Sequence, residues 1–491
     1  MTENRNLRTR LCVFLLSVSM TAASLASCGS GSTVPSVPET AIAPSETAAV
    51  SENETDGTAL PEKDYGGRTY TVSPDDTKEE FFQSESLTGD LVDDAVFERN
   101  SVIEERYNID IVTLPGLPEA DDQDRIYNSI LAGDGLFDVA YAHVIRMGSL
   151  AMEDLFVNWY DVPYVDFHNP WWAKSNIEDL TYDGLCFLAV GDACVDAITR
   201  TYCMFYNKTA GANYDMPDIY GLVDSGKWTF EKMSSLCKDI YADVNENGKK
   251  DDADFYGLVS DENSNVCTYT WSFNNKIVTK NEKGELQLSY YSDKNVDIIA
   301  SIYSLFFENE GTRLGSFYHG TDMFAKGLAL FANGCLEAGV NMRSLADDYA
   351  IIPYPKWDEA QDDYYTMVDG GHGAFGIPIS NPDLEFTGLI TEAVNMETHN
   401  LVTPKVYEMT IKEKYARDEE SIRLLDRIIS NRVFDFGFVY DCWVGAAFIP
   451  CYMIMAKQSN LATYWAKNGP AIEAHYAEVF DFFNTYKESH K

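Results

Sequence analysis

The first part of the chain alternates between two hydrophobic periods. Residues 68–72 alternate apolar with polar side chains and are rich in β-branched residues, which predicts a strand, and residues 108–112 and 137–141 are predicted as two more strands. Residues 93–107 and 126–132, between them, carry apolar side chains at helical spacing. This order of strand, helix, strand, helix and strand favours an α/β fold in which helices cover a parallel sheet.

Ligands of such sheets usually bind beyond the carboxyl ends of the strands. The loops that follow Val72, Val112 and Ala142 are therefore candidate parts of a binding site. His143 and Arg146 come directly after the third predicted strand and are candidate ligand contacts. The alternative is that these two residues only begin the next helix.

The rest of the chain mixes helical patterns with short strands. Residues 230–242 are predicted to form a helix, because Thr229 can cap its N-terminus and Glu231 lies in the first turn. Residues 350–354 and 375–379 are predicted to be strands that return to an earlier sheet. Further helical patterns cover residues 384–397, 406–416, 421–429 and 471–486.

Residues 1–27 have the features of an export signal. Three arginines precede an apolar run at 11–26, and the residues at 25–27 lead into Cys28. The run is shorter than the roughly 20 apolar residues that span a bilayer. The pattern resembles a bacterial lipobox, so we expect acylation of Cys28 and anchoring of the exported protein to the outer face of the cell membrane. Residues 28–63 are rich in Ser, Thr, Pro, Glu and Ala, and predict a flexible tether.

Length and charge narrow the function classes. A chain of 491 residues exceeds what one core usually holds, which favours two domains after the tether. The formal net charge is −41, from 37 Lys and Arg against 78 Asp and Glu, so phosphate backbones and anionic lipid surfaces repel the chain. We therefore expect no nucleic-acid binding, and the acidity indicates solubility without indicating a particular partner.

Eight cysteines remain once Cys12 of the signal and Cys28 are set aside. They form no CxxC motif and no zinc-type spacing with histidine. Export permits disulfides, yet most of these cysteines lie in apolar runs, where a free thiol behaves as a small hydrophobe. We expect them to be mostly reduced and buried. They are Cys186, Cys194, Cys203, Cys237, Cys267, Cys335, Cys442 and Cys451.

Residues 243–254 match the ligand spacing of an EF-hand loop. Side-chain oxygens fall at loop positions 1, 3, 5 and 9, a backbone carbonyl at 7, and a carboxylate at 12, with Gly248 at the sharp turn. The predicted Ca²⁺ ligands are Asp243, Asn245, Asn247, Lys249 through its carbonyl, Asp251 and Asp254. Asp254 departs from the motif, which prefers a glutamate that binds through both oxygens. The alternative is an acidic surface turn.

The segment 371–376 formally satisfies GxGxxG, but it does not predict a dinucleotide site. An Ile-Pro-Ile sequence follows it, whereas a phosphate-binding turn needs the N-terminus of a helix at that point. A glycine-rich turn between two lobes is the better interpretation, with His372 a candidate ligand contact.

Several phrases, in their order along the chain, resemble one protein family. They are Gly66-Gly-Arg-Thr-Tyr70, Asp94-Ala-Val-Phe-Glu-Arg-Asn100, Asn169-Pro-Trp-Trp172 with Asp183-Gly184, Phe324-Ala-Lys-Gly-Leu-Ala-Leu-Phe331 and Asp347-Asp-Tyr-Ala-Ile-Ile-Pro-Tyr-Pro355. Together with the lipobox and tether, they resemble the extracellular solute-binding proteins of ABC importers, in the carbohydrate-type group (family 1) of Gram-positive bacteria. The resemblance covers nearly all of the chain after the signal.

The resemblance implies a type II periplasmic-binding-protein-like fold, with two α/β lobes hinged around a central cleft. Lobe 1 is expected to contain residues 64–197 and 336–381, and lobe 2 residues 198–335 and 382–491. The chain is expected to cross between the lobes near 195–205, 330–338 and 379–383. Members of the family also carry EF-hand-like loops, which implies a structural role for the calcium.

A carbohydrate ligand requires flat aromatic rings beside carboxylates and amides, because sugars present apolar C–H faces and hydroxyl edges. The resemblance implies that the loop containing Tyr269 and Trp271 lines the cleft, and the alternative is that Trp271 lies in the core. Trp443 is a second candidate with the same alternative. Asp192 lies at a predicted strand end near the first crossing, and its alternative is a turn-forming role.

These observations predict a monomeric, lipid-anchored binding component of an ABC importer that captures a carbohydrate by lobe closure and delivers it to permease subunits. We expect the carbohydrate to be an oligosaccharide. No catalysis is expected. The alternative is a secreted lipoprotein glycoside hydrolase, because a carboxylate pair leaves no sequence signature. The sequence has no GxSxG or HExxH motif, and an adhesin is disfavoured because β-α-β lobes imply a cleft.

Overall fold

The computed structural model describes residues 60–84, 86–412 and 419–489. The predicted export signal, Cys28 and most of the predicted tether lie outside these residues. The last four residues of the predicted tether are described, and Lys63 Nζ donates a hydrogen bond to the Tyr164 hydroxyl at 2.8 Å. Among the described residues, no helix has the length and apolar character needed to cross a membrane.

The chain alternates between strands and helices throughout. The strands are β1 Arg68–Pro74, β2 Ile109–Thr113, β3 Val139–His143, β4 Tyr202–Asn207, β5 Tyr241–Ala242, β6 Phe255–Asp261, β7 Val278–Lys280, β8 Leu286–Leu288, β9 Thr312–Gly315, β10 Ala329–Cys335, β11 Tyr349–Ile352, β12 Thr366–Met367, β13 Gly373–Gly376 and β14 Arg432–Val433. The helices are α1 Leu91–Tyr107, α2 Glu119–Ala132, α3 Val144–Met152, α4 Lys174–Leu180, α5 Val195–Thr199, α6 Lys208–Asn213, α7 Ile219–Asp224, α8 Phe230–Cys237, α9 Ser264–Ser272, α10 Asp293–Phe307, α11 His319–Ala325, α12 Leu384–Glu397, α13 Thr403–Lys412, α14 Glu419–Ser430, α15 Phe436–Val439, α16 Ile449–Met455 and α17 Leu461–Ser489. Short 3₁₀ segments cover Glu79–Phe81, Trp159–Asp161 and Leu336–Ser344, and a π-helical turn covers Thr398–Val402.

The first sheet has the strand order β13-β3-β1-β2. β1 is parallel to both β2 and β3, so the β-α-β-α-β order predicted for the first part of the chain is confirmed as a parallel unit. β13 joins the edge antiparallel to β3, which confirms that the predicted strand at 375–379 returns to this sheet, although it begins and ends earlier.

The second sheet has the strand order β11-β4-β10-β6-β5, with β9 also paired to β6. The predicted return of residues 350–354 to an earlier sheet is confirmed for Tyr349–Ile352, because β11 pairs antiparallel with β4 of this second sheet. The strand that follows the predicted lobe boundary at residue 336 therefore lies in the same sheet as β4 and β10, and the division of the chain into two lobes stays a prediction. The chain returns to the first sheet later, after an isolated bridge between Thr201 and Val368.

The helix α12 lies beside the first sheet. It packs against α1, and the Tyr70 hydroxyl of β1 hydrogen bonds to Thr391 of α12 at 2.8 Å. The bounds of α12 agree with the predicted helix, because Asp383 caps its N-terminus and apolar residues follow at helical spacing. Local sequence signals thus predict the bounds of this helix, but they do not predict the elements against which it packs.

The helix predicted at 230–242 ends early, at Cys237. The chain turns at Asp239, whose φ is 64°, and Tyr241–Ala242 then pairs with β6 as β5. All eight cysteines discussed above are free thiols; Cys442 is half-buried and the others are buried. The core therefore holds these cysteines as small apolar side chains, as expected.

Candidate functional site

A cavity of about 490 Å³ lies where strands of both sheets end. β3 of the first sheet ends at His143, which lines the cavity. In the second sheet, the residues that follow β6 and β9 line it as well. The segment 369–371, through which the chain returns to the first sheet, and the helix α16 complete the wall. This is the position at which α/β sheets generally bind ligands.

Trp443 provides an exposed indole in the cavity wall. Its side chain is 49% exposed, and its ring is parallel to that of Phe448, with centroids 6.0 Å apart and an interplanar angle of 6°. The His143 ring lies 5.6 Å away, and the Arg146 guanidinium lies 5.5 Å from the indole centroid. Neighbouring rings therefore hold the indole in place while it remains accessible to a ligand.

A short, strained turn presents Trp443. Cys442 and Trp443 have φ values of 44° and 66°, in the left-handed region that residues other than glycine rarely adopt. The carboxylate of Asp441 accepts hydrogen bonds from the backbone N–H groups of Gly445 at 2.8 Å and Ala447 at 3.1 Å. Strain of this kind persists only where surrounding contacts impose it, and it is common at ligand sites.

Polar groups line the same cavity. Glu262, Asn263 and Ser264 follow β6, and the Glu262 backbone N–H donates to the Gly315 carbonyl at 2.9 Å. Asp369 also lines the cavity, and its carboxylate accepts hydrogen bonds from the Tyr202 hydroxyl at 2.7 Å and the Gly371 N–H at 2.8 Å. Carboxylate and amide groups beside an aromatic face can bind the hydroxyl edges of a sugar.

The two histidines predicted as ligand contacts differ in position. His143 lines the cavity, and burial lowers its pKa to about 3, so its ring is neutral at pH 7. His372 is buried with its Nδ1 2.6 Å from the Asp369 carbonyl oxygen, and burial lowers its pKa to about 4. His372 does not line the cavity, although Gly370 and Gly371 beside it do.

A buried charge network lies behind the cavity wall. Lys78 Nζ is 2.7 Å from Asp75 Oδ2 and 3.8 Å from Asp196 Oδ2. Asp196 also accepts hydrogen bonds from the Tyr141 hydroxyl and from the backbone N–H of Gly373. Burial opposes ionisation of Asp75, but the ion pair with Lys78 lowers its pKa below the usual value. The network fixes the ends of β1, β3 and β13, and so fixes this side of the cavity.

Tyr269 and Trp271 lie in the core and do not line the cavity. The predicted loop around them is the helix α9, every residue of which is buried. The indole N–H of Trp271 donates to Asp435 at 2.9 Å, and the Tyr269 hydroxyl donates to Asn333 at 3.2 Å. The many Ser, Thr and Asn residues suggested a loop, but side chains such as Thr268 are satisfied within the helix by the carbonyl four residues earlier.

Asp192 and Arg146 are engaged with other parts of the protein. Asp192 Oδ2 lies 2.6 Å from His399 Nδ1 and 3.2 Å from Thr403 Oγ1, away from the cavity lining. Arg146 donates to the Gln123 amide oxygen at 3.0 Å and lies behind Trp443. A direct ligand contact by either residue stays a prediction.

Several cavity residues were not predicted from the sequence. Glu262 and Asn263 follow β6, and Phe317 follows β9, so the strand-end rule identifies them once those strands are known. The apolar run at 255–259 was an available signal for β6. Asp369 and Tyr452 lie in a return segment and a helix, and no local pattern in the sequence marks them.

The predicted calcium loop forms a tight turn. Gly248 has a φ of 73°, and the Asp243 carboxylate accepts from the backbone N–H groups of Asn247 at 3.2 Å and Gly248 at 2.8 Å. Asp251 accepts from the side-chain amides of Asn247 at 2.7 Å and Asn245 at 3.2 Å. The oxygen-bearing side chains of loop positions 1, 3, 5 and 9 are thus joined by one hydrogen-bond network.

Asp254, at loop position 12, is fully buried. Its Oδ2 accepts a hydrogen bond from the Tyr241 hydroxyl at 2.9 Å, whereas its Oδ1 has no hydrogen-bond partner among the described residues. Over the same residues, no group of three or more His, Cys, Asp and Glu side chains is arranged to hold a metal ion. A cation in this loop therefore requires the amide oxygens of Asn245 and Asn247 and the Lys249 carbonyl in addition to carboxylates.

Comparison with known proteins identifies the class of fold. No family model matches the sequence, and no curated protein matches it either. Among solved structures, a cyclo/maltodextrin-binding protein complexed with maltotetraose aligns with a TM-score of 0.55 and 12% identity, over 86% of this chain and 97% of that chain.

Two further structures align to a similar extent. An ABC transporter solute-binding protein from Agrobacterium radiobacter K84, in complex with ribitol, has a TM-score of 0.54 and 11% identity over 84% of this chain and all of that chain. Another, from Thermotoga lettingae TMO and bound with α-D-tagatose, has a TM-score of 0.53 and 13% identity over 83% of this chain and all of that chain. The chain therefore has the periplasmic-binding-protein-like α/β fold of ABC transporter solute-binding proteins, as the sequence resemblance implied.

Proposed function

We propose that this protein is the substrate-binding component of an ABC importer and that it captures a carbohydrate in the cavity between the two sheets. The observation that carries this proposal is the exposed indole of Trp443, which stacks on Phe448 and lines one cavity together with Glu262, Asn263 and Asp369. An aromatic face combined with hydroxyl-binding carboxylates and amides suits a sugar. The solved structures with the same fold, which contain maltotetraose, ribitol and tagatose, support this choice of ligand class.

Binding and release follow from the position of the cavity. The ligand contacts residues from both sheets at once, so it binds most tightly to the conformation in which they are close together. A ligand with this differential affinity shifts the protein from open to closed forms. The closed form is then the one that permease subunits in the membrane recognise. No bond is broken in this cycle.

The export and anchoring of the protein are part of the same proposal. Acylation of Cys28 would hold the protein at the outer face of the cell membrane, and the predicted tether, residues 28–63, would separate the binding lobes from the membrane. A lipid-anchored binding protein stays near its permease, which raises the effective concentration of the captured sugar there.

Screening of the protein against mono-, di- and oligosaccharides and polyols tests the proposed function. Ligands that bind the folded state raise the melting temperature by mass action, and calorimetry then gives the affinity and stoichiometry. We expect at least one carbohydrate to bind and to be recovered chemically intact. Cleavage of the bound sugar would instead support the hydrolase alternative, and the absence of any hit would contradict a carbohydrate ligand.

We further propose that the loop 243–254 binds Ca²⁺. The unpaired, buried Oδ1 of Asp254 supports this proposal, because a buried carboxylate oxygen without a partner is costly and a cation offsets that cost. Asp243, Asn245, Asn247, Asp251 and Asp254 would supply side-chain oxygens, and Lys249 its carbonyl. The bound ion would neutralise carboxylates in a strongly acidic chain and stabilise the turn that Gly248 allows.

Removal of calcium is expected to destabilise the protein. At a free calcium concentration ten times the dissociation constant, stabilisation is about 1.4 kcal/mol, and chelation abolishes it. Melting curves in calcium and in a chelator measure this difference. Asp243→Ala removes the ligand at loop position 1 and should abolish the response, whereas Asp252→Asn, at a position that is not a ligand, should retain it. A wild-type melting temperature that is the same in calcium and chelator would contradict the site.

A further inference from the structure

Two ion pairs attach the proposed calcium loop to β9 and to the residues before it. Lys250 Nζ donates to the carbonyl oxygen of Glu310 at 2.8 Å and also contacts its carboxylate. Asp252 Oδ1 accepts from Arg313 through Nε at 2.8 Å and Nη2 at 2.5 Å, and His319 Nε2 lies 3.5 Å from the same oxygen. The loop therefore contacts the chain before, within and after β9.

These contacts alternate with the proposed metal ligands along the loop. Positions 7 and 9, Lys249 and Asp251, would supply oxygens to the ion, and positions 8 and 10, Lys250 and Asp252, hold β9. An ion that fixes the backbone at positions 7 to 9 therefore also restrains the backbone of Lys250 and Asp252, from which both ion pairs extend. Exposed ion pairs are weak because forming them costs the conformational entropy of their side chains. A backbone already fixed by the ion lowers that cost, and the ion pairs are then stronger.

The segment that follows β9 lines the carbohydrate cavity. Ser316 and Phe317 lie in its wall, next to Glu262. The Gly315 carbonyl accepts a hydrogen bond from the Glu262 N–H at 2.9 Å, and β9 pairs in parallel with β6. The segment 312–319 is thus held by β6 on one side and by the calcium loop on the other.

We propose that calcium in the loop 243–254 positions the cavity segment 312–319 through Lys250 and Asp252. These two are positioning residues that act on the cavity through Glu310, Arg313 and His319. This inference rests on the proposed calcium site and goes beyond a purely structural role for the metal. By linkage, calcium then raises the affinity for a ligand that contacts Ser316 or Phe317, and the ligand raises the affinity for calcium by the same factor.

Hydrogen exchange measured by mass spectrometry tests this coupling without a sugar. The probe is calcium alone, titrated into the full chain after chelation. We expect slower exchange at 243–256 and also at 312–319, by about fivefold or more, with the same midpoint calcium concentration for both segments. Unchanged exchange at 312–319 while the loop becomes protected would overturn the coupling. Unchanged exchange in both segments would overturn the calcium site and the coupling with it.

Two matched variants separate positioning from general stability. Asp252→Asn retains the size of the side chain and all proposed metal ligands, but it weakens the contacts with Arg313 and His319. We expect calcium still to protect the loop and to lose its effect on 312–319. Asp224→Asn breaks the comparably exposed ion pair with Arg423, in which the two hydrogen bonds are 2.7 and 2.9 Å, and should behave as the wild type. Retention of the calcium effect on 312–319 in Asp252→Asn would also overturn the proposal.

Discussion

Replacement of Asp435 by alanine is expected to lower the free energy of unfolding by about 3 to 5 kcal/mol. The carboxylate is buried, and it accepts hydrogen bonds from the Trp271 indole at 2.9 Å and from the backbone N–H groups of Ile277 at 2.6 Å and Gly437 at 2.8 Å. Alanine leaves these three buried donors without their acceptor, and each such donor costs about 1 to 3 kcal/mol. Denaturant unfolding of the variant and the wild type measures the change.

Two further variants show whether burial causes the effect. Asp435→Asn retains one carbonyl oxygen and should cost less than alanine. Asp218 is an exposed N-cap that accepts one hydrogen bond, from Gly221 at 3.1 Å, so Asp218→Ala should cost only about 1 kcal/mol. An Asp435→Ala variant no less stable than Asp218→Ala would show that these buried hydrogen bonds do not stabilise the protein as we infer.

Helices with local signals are predictable from the sequence, whereas the pairing of distant strands is not. Asp90 caps α1 and Asp383 caps α12, and both helices have apolar residues at regular spacing, so their bounds follow from nearby residues. The sheet that β11 joins depends on its pairing with β4, more than 140 positions earlier in the chain. Hydrophobic periodicity predicts that a strand is half-buried or buried, but it does not identify the strand's partner.

The tryptophans show the same limit at the site. From the sequence, Trp271 and Trp443 are equal candidates, because aromatic residues occur in cores and in sugar sites alike. Trp271 is buried because Asp435, distant in sequence, accepts its N–H group, and Trp443 is exposed because Asp441 fixes a strained turn. Neither cause can be recognised until the fold brings these residues together.

Replacement of Trp443 by alanine is expected to weaken carbohydrate binding by about 30- to 100-fold, or roughly 2 to 3 kcal/mol. The indole is exposed in the cavity wall, and Phe448 and His143 already hold it in position, so little entropy is lost when a sugar stacks on it. Calorimetry with whichever carbohydrate the screen identifies measures the loss. Trp443→Phe should retain part of the affinity, because a smaller aromatic face remains.

The matched control for this variant is Tyr291, which is 46% exposed and stacks on Trp465 with centroids 5.2 Å apart and an interplanar angle of 9°. It reproduces the exposure and stacking of Trp443 outside the cavity lining, so Tyr291→Ala should leave sugar affinity unchanged. Trp443→Ala should lower the free energy of unfolding by no more than about 1 to 2 kcal/mol, because about half of the ring is exposed, and the variant should therefore stay folded for the binding measurement. Equal sugar affinity of Trp443→Ala and the wild type would mean that the ligand does not stack on this indole, and the aromatic wall would then no longer support a carbohydrate in this cavity.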